Sequence, residues 1–280
     1  MGACVDLPNR VLTEHEGKLR RRLCRERSEG SDAAQTGKAV DSKLGGTPVE
    51  SFKARCTSAR GRRWPRPLLG LELGNAKLGL RSDRFNTVLV WNLPAARTCP
   101  GASEWCLSWC YNGQSRPDTY LDDVWLGNLH ALTHDLDRVR TEIVQQLDEA
   151  PGPVAVRVHS SGDFYSTEYI EMWKYIAVAH PAVHFWAYTR SWAVLELQDR
   201  LEELHRCPNF QLFASWDESM PAPPLGWRLS IVSEHGTAPL SPVLAQKLIR
   251  CPEEMKLEIN CAACSHCIDQ NERGVWFTAH

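Results

Sequence analysis

Five short runs of β-branched and aromatic residues, separated by stretches of helical periodicity, constrain this chain more than any other feature. The runs are TVLVWN at 87–92, VAVRV at 154–158, VHFWAY at 183–188, FQLFAS at 210–215 and RLSIV at 228–232. Between the first two, Val124, Leu126, Leu129, Leu132, Leu136, Val139, Ile143 and Leu147 recur at close to helical spacing within 121–147. Tyr169, Trp173 and Ile176 mark the next helix, residues 192–204 another, and 242–249 a last one before a sixth strand-like run at 255–259. Strands that alternate with helices pair in parallel, because each connection must cross back over the sheet. The expected fold class is therefore α/β. It is a partial (β/α) barrel of about six units, with a cysteine-rich C-terminal segment and a disordered N-terminal extension.

Composition sets the boundaries. Residues 1–66 carry 15 Lys/Arg against 8 Asp/Glu, and the rest of the chain 17 against 26, so a net charge of -2 divides into +7 and -9. The first segment is rich in Ser, Gly, Arg and Thr, poor in aromatics, and has no sustained period, which reads as a disordered basic extension. Its charge suits a nucleic-acid partner, although a solvated linker accounts for it with fewer assumptions. The barrel domain is expected over 67–250 and a metal-binding segment over 251–280. No apolar run of signal-peptide length lies near the start, and none anywhere is long enough to span a bilayer. The expectation is a cytoplasmic protein without a membrane partner.

Seven of the 11 cysteines fall in two groups. Cys99, Cys106 and Cys110 occupy the loop after the first strand-like run, and Cys251, Cys261, Cys264 and Cys267 lie near the end. In a reducing compartment clustered thiols bind metal more often than they cross-link, and an odd total fits a closed disulfide framework poorly. For the first group a [4Fe-4S] cluster, a structural zinc and simple burial all remain open. In the second, CxxCxxC is the spacing that wraps a cubane in bacterial ferredoxins, and Cys251, followed by Pro252, can supply a fourth thiolate. Zinc sites more often use two separated CxxC knuckles, so iron is favoured and zinc is the alternative. Three cysteines are consistent with an open iron, and four with a closed structural or electron-relay cluster. Cys4, Cys24, Cys56 and Cys207 have no clustered partners and no assigned role.

In parallel α/β folds ligands collect at the carboxyl ends of the strands. The loops expected there are small, polar and charged: SSGD at 160–163, TRS at 189–191, SWDES at 215–219 and SEHG at 233–236. His159 could donate a proton or simply hydrogen-bond within its loop. Arg157 points to the barrel mouth or pairs with an acid. Arg190 offers a bidentate fork for a carboxylate or phosphate. Trp186 and Trp216 could stack on a base, but large core residues are the simpler reading. His266 is expected to face solvent. The chain carries no phosphate-binding GxxxxGK loop, HExxH zinc helix or GxSxG elbow.

GNAKL at 74–78, CPGASEWCLSWCY, VRVHSSGDFYS, FWAYTRS and the closing cysteine motif together resemble the phage gene product eighty-eight family, over roughly residues 71–267. That resemblance implies a phage, plasmid or actinobacterial origin and carries no activity with it. More distantly, three cysteines after the first strand of a partial barrel, with Trp109 before the last of them, resemble the radical S-adenosylmethionine enzymes. This second resemblance implies a [4Fe-4S] cluster on Cys99, Cys106 and Cys110, with the fourth iron left for the amino and carboxylate groups of S-adenosylmethionine. It also implies cofactor binding by Ser161, Gly162 and Asp163, with Ser215 and Glu234 as ribose or methionine contacts. The spacing departs from that family, with six and three residues between the cysteines instead of three and two. The electron donor and the substrate are left open. A non-catalytic, metal-stabilised module binding nucleic acid or a host protein is the alternative.

Overall fold

The computed structural model describes residues 70–110, 119–233 and 242–278, apart from 256 and 258. The elements run β1 (Glu72–Leu73), β2 (Thr87–Trp91), α1 (Glu104–Ser108), α2 (Thr119–His134), α3 (Leu136–Glu149) and β3 (Val154–Val158). They continue with α4 (Thr167–Ala179), β4 (His184–Thr189), a 3-10 turn at Ser191–Ala193, α5 (Leu195–His205), β5 (Phe210–Trp216) and β6 (Arg228–Ser233). The last are α6 (Pro242–Gln246), β7 (Leu248–Arg250), α7 (Cys261–Cys264) and β8 (Gly274–Thr278). The eight strands among the described residues form one sheet in the order β1-β2-β3-β4-β5-β6-β8-β7. Only β1 pairs antiparallel with its neighbour; the other neighbours are parallel, with Leu89 opposite Val156 and Ala187 opposite Leu212. The fold is mixed α/β around a mostly parallel sheet.

Sequential order has a consequence for the two faces. Right-handed crossovers between strands that follow one another stack their helices on the same side. That side holds Leu89, Trp91, Val156, Phe185 and Leu212 against Ile143 of α3, Trp173 and Ile176 of α4, and Leu201 of α5. Trp91 and Trp173 meet edge to face, 6.1 Å between ring centroids. Among the described residues the other side has no such helix layer. There Val88, Val90, Ala155 and Trp186 pack on Ala262 and Ile268, and Phe213 packs with Cys251 and Val275. The cysteine-rich segment therefore covers the sheet face that the crossover helices leave open, and its final strand, β8, joins the sheet.

Three sequence expectations change. The helical stretch over 121–147 is two helices, because Asp135 leaves helical geometry and its carboxylate caps α3 by accepting from the Arg138 amide at 3.0 Å. The strand expected over 255–259 does not form at its described residues. Met255 is 39% and Leu257 60% exposed, so their alternation has no face to bury. Pairing falls instead to β8 and to β7, the latter lying where the helix over 242–249 was expected; α6 ends at Gln246. The basic extension over 1–66 lies outside the described residues. No helix among the described residues is long and apolar enough to cross a membrane.

Candidate functional site

The loop that leaves β2 is tied to the loops after β3, β4 and β5. Buried Asn92 accepts from the amides of Ser160 and Ser161 at 2.9 Å, and the Leu93 amide donates to the Ser161 carbonyl at 3.0 Å. Gly162 sits at φ +84, where a Cβ would stand 2.6 Å from Leu93 Cβ and 2.7 Å from Thr98 Oγ1. Only glycine tolerates both the angle and the approach. A Cβ on Gly101 would fall 2.0 Å from the Arg190 carbonyl oxygen, so the thiol loop also lies directly on the end of β4.

Ser103 begins α1, accepting from the Cys106 amide at 3.0 Å. Its hydroxyl donates to Asp217 Oδ2 at 2.6 Å. Arg190 Nη1 reaches Ser103 Oγ at 3.2 Å and pairs with Asp217, and both charged side chains are buried. Asp217 follows β5 and Arg190 follows β4, so two strand ends fix the helix that carries Cys106. The fork that Arg190 was expected to offer a ligand is thus engaged by Asp217. Ser103 was missed in the sequence. A serine followed by Glu104 at the head of a short helical run is the N-cap signal that would have found it.

Cys99, Cys106 and Cys110 form no disulfide and are half-buried. They stand close enough for charge on Cys106 and Cys110 to act on Cys99. Burial pushes the Cys99 thiol well up, and the Asp163 carboxylate adds to the push. Cys106 is pushed up to about 11, mainly by burial, with the Arg190 charge opposing. Asp163 accepts from Thr189 Oγ1 at 2.6 Å and from the Arg190 amide at 2.8 Å, yet burial still raises it to about 6. Ser161 Oγ is buried and has no hydrogen-bond partner. Ser215 lies within β5 rather than beyond it, its carbonyl accepting from Trp192 Nε1 at 3.0 Å. Glu234 falls outside the described residues.

The second group gathers on the sheet face opposite the helices. Cys251 and Cys261 both act electrostatically on their neighbours there, Cys261 being pushed up to about 12 by burial and Cys267 to about 11. Tyr188 packs in the same apolar patch as Cys267 and partly opposes the upward push on its thiol. Cys264 ends the single turn of α7, whose cap is Asn260, accepting from the Ala263 amide at 2.9 Å. His266 does not simply face solvent: Arg228 Nη2 lies 3.3 Å from its Nε2 and donates to its carbonyl at 2.9 Å. Arg157 pairs with no acid in the described network. Its guanidinium lies over the Tyr188 ring at 3.9 Å. His159, at φ +69, bonds Tyr169 through Nε2 at 2.7 Å, and burial drives it down to about 3. It is neutral near pH 7, which removes it as an imidazolium donor. Trp186 is fully buried core, and Trp216 Nε1 donates to the Pro221 carbonyl at 2.9 Å. Among the described residues no group of three or more His, Cys, Asp or Glu side chains is set to hold a metal ion.

The family model described as gene product 88 matches residues 68–270, a stretch that contains all seven clustered cysteines. The chain belongs to the gene product 88 family. Among curated relatives, the gene 88 protein of Mycobacterium phage L5 is 31% identical over 158 residues, covering 51% of this chain and 60% of that protein. The gene 88 protein of Mycobacterium phage D29 is 29% identical over 128 residues, covering 42% and 50%. The match thus spans between half and three fifths of the length of these gene 88 proteins. No solved structure matches the chain. Neither the family's description nor the relatives' names state an activity, so function rests on the chemistry of the strand ends.

Proposed function

We propose that this gene product 88 protein is an iron–sulfur protein resembling the radical S-adenosylmethionine enzymes. One observation carries the reading: Cys99, Cys106 and Cys110 come together in the loop after the first parallel strand, beside Asp163 from the loop after the next. The sequential order β2 to β6, with the crossing helices on one face, is the winding of a partial (β/α) barrel and supports that architecture.

The donor set is all thiol, which iron–sulfur clusters and zinc both accept. A cubane takes one thiolate at each of several irons and so does not require the sulfurs to share a single ion. Burial pushes the thiols up, and the Arg190 charge near Cys106 and the Arg157 charge near Cys261 and Cys267 oppose it only in part; a bound cation would favour the thiolates and release their protons.

Cys99, Cys106 and Cys110 would hold three irons of the first cluster, and Cys251, Cys261, Cys264 and Cys267 a closed second one. Such a cluster, reduced by an external one-electron donor, would supply reductive cleavage of S-adenosylmethionine and so the start of hydrogen abstraction. The chain's own residues position the reactants. Asp163, fixed by Thr189 and the Arg190 amide, would be the carboxylate partner of the cofactor's amino group. Ser161 brings a hydroxyl that lacks a partner, and Gly162 lets the turn close onto the thiol loop. Ser215 and Glu234 are the remaining candidate contacts.

A second reading is a non-catalytic, metal-stabilised module that contacts nucleic acid or a host protein. The packing of buried Cys251 and half-buried Cys267 into the sheet-face core and the +7 charge of residues 1–66 favour it. Anaerobic purification separates the two. A brown protein with about seven or eight irons per chain, losing about half of them in Cys106→Ala, supports the cluster assignment. Release of 5′-deoxyadenosine on reduction with S-adenosylmethionine then supports catalysis, and its absence favours the module. A colourless protein with one or two zinc ions overturns the first reading.

A further inference from the structure

We propose that His130 and His134 form a two-histidine chelate for a late first-row divalent metal ion on the exposed face of α2, independent of the cysteines and of the iron–sulfur reading. The two residues stand one turn apart near the end of α2, and both are exposed, while Leu132 between them is buried in the core. Residues four apart on a helix share a face. Their rings stack, with 4.0 Å between centroids and 16° between planes. That arrangement offers both imidazoles to one ion.

The local hydrogen bonds prepare a ligand. His134 Nδ1 lies 2.7 Å from the His130 carbonyl oxygen and 3.1 Å from Thr133 Oγ1. A carbonyl only accepts, so Nδ1 carries the proton and Nε2 keeps its lone pair. Metal-ligating histidines are oriented and held in one tautomer by the same kind of bond at the second nitrogen. Thr133 is itself fixed, its hydroxyl donating to the His130 carbonyl at 2.8 Å. The His130 ring has no hydrogen-bond partner among the described residues. The nearest acids in the chain are engaged elsewhere: Asp135 caps α3 at the Arg138 amide, and Asp137 pairs with Arg140 at 3.0 Å.

Charge favours a cation at this place. His134 closes α2, where the last carbonyls form the negative end of the helix dipole. Two neutral imidazoles suit zinc, nickel or copper(II), whereas magnesium and calcium take oxygen ligands. The pair has no third His, Cys, Asp or Glu beside it among the described residues, so water completes the shell and the ion stays exchangeable. Binding ties the last turn of α2 just before Asp135 leaves helical geometry, and it stabilises the folded chain as the ion concentration rises.

The test is calorimetric titration of the untagged full-length protein with the nickel(II) complex of iminodiacetate, which leaves adjacent positions of the metal open to imidazole. His130→Gln and His134→Gln should each weaken binding by about tenfold or more, because loss of either ring removes the intramolecular second step. The double variant should bind no more weakly than either single one. Both rings are exposed and glutamine is a good helix former, so the variants keep the fold. The cysteines are common to every protein compared, so the differences report the histidines alone. Small losses that add in the double variant mark two independent surface histidines and overturn the proposal, as does unchanged binding. A second measurement needs no variant: pulsed EPR of the copper(II)–iminodiacetate adduct should show two coordinated imidazoles, and a single one overturns the chelate.

Discussion

Cys106 and Cys267 are both half-buried free thiols, and burial pushes each up to about 11. Their neighbours differ. Cys106 sits on a short helix hung from Ser103, Asp217 and Arg190, with carboxylates on two sides. Cys267 packs with Tyr188 and Phe213 on the sheet, near Arg157 and Arg228. One group is held by a polar lattice between loops, and the other is built into the apolar core. A lattice of hydrogen bonds can loosen while the sheet stays folded. A core residue cannot be removed without loss of global stability. On the proposed iron–sulfur reading, the first group is placed to exchange ligands and the second to stay closed, and the metal contents below are those that this reading assigns.

The largest expected effect tests the second half of that contrast. Trp186→Ala empties a fully buried site beside Ala262 and Ile268 and should cost about 3–5 kcal/mol in denaturant unfolding. Trp173→Ala should cost a similar amount on the helix side. If the second group depends on its own face, Trp186→Ala lowers its metal content well before unfolding and Trp173→Ala does not. Equal loss in both variants would break the comparison.

Acid separates the regions next. His159 lies behind the first loop and is pushed down to about 3, against 6.5 for an ordinary imidazole. Between those values the unfolded chain binds a proton that the folded chain refuses, so stability falls as pH drops. The slope approaches one proton, about 1.4 kcal/mol per pH unit. Metal-free His159→Gln protein should lose that slope below pH 6.5, measured by urea unfolding across the range. A slope unchanged by the substitution would show that the imidazole is not held neutral.

Much of the scaffold was legible in the sequence, and the reasons are local. VAVRV forms β3 over the expected residues, because a short apolar run between a helix and a polar loop has one placement in a parallel sheet. GVWFT was not read as a strand, since five residues after a cysteine-rich stretch carry no period of their own; their neighbours on β6 and β7 decide their conformation. MKLEI alternates well and still forms no strand at its described residues, because alternation records a preference and not the presence of a face. The cysteines announced both groups, but not their surroundings. Arg190 with Asp217 and Arg157 over Tyr188 are pairings between different strand ends or strands, and no spacing along the chain encodes them.

The smallest effect is the most discriminating. Ser103 makes two contacts of different kinds, accepting from the Cys106 amide at the helix start and donating to Asp217. Ser103→Ala removes an N-cap and should cost about 1 kcal/mol of stability. If stability were all it governed, both metal contents would be unchanged at 25 °C, since a loss of that size leaves a protein of ordinary stability folded. The polar-lattice account requires more. Without the hydroxyl, Asp217 still pairs with Arg190, but neither holds α1, and Cys106 gains freedom relative to Cys99. The first group should then release its metal to a chelator several-fold faster, with the second unchanged. Ser103→Thr, which keeps the hydroxyl, should restore the slow rate. Identical release from both groups in Ser103→Ala would mean that the first is as much a part of the core as the second.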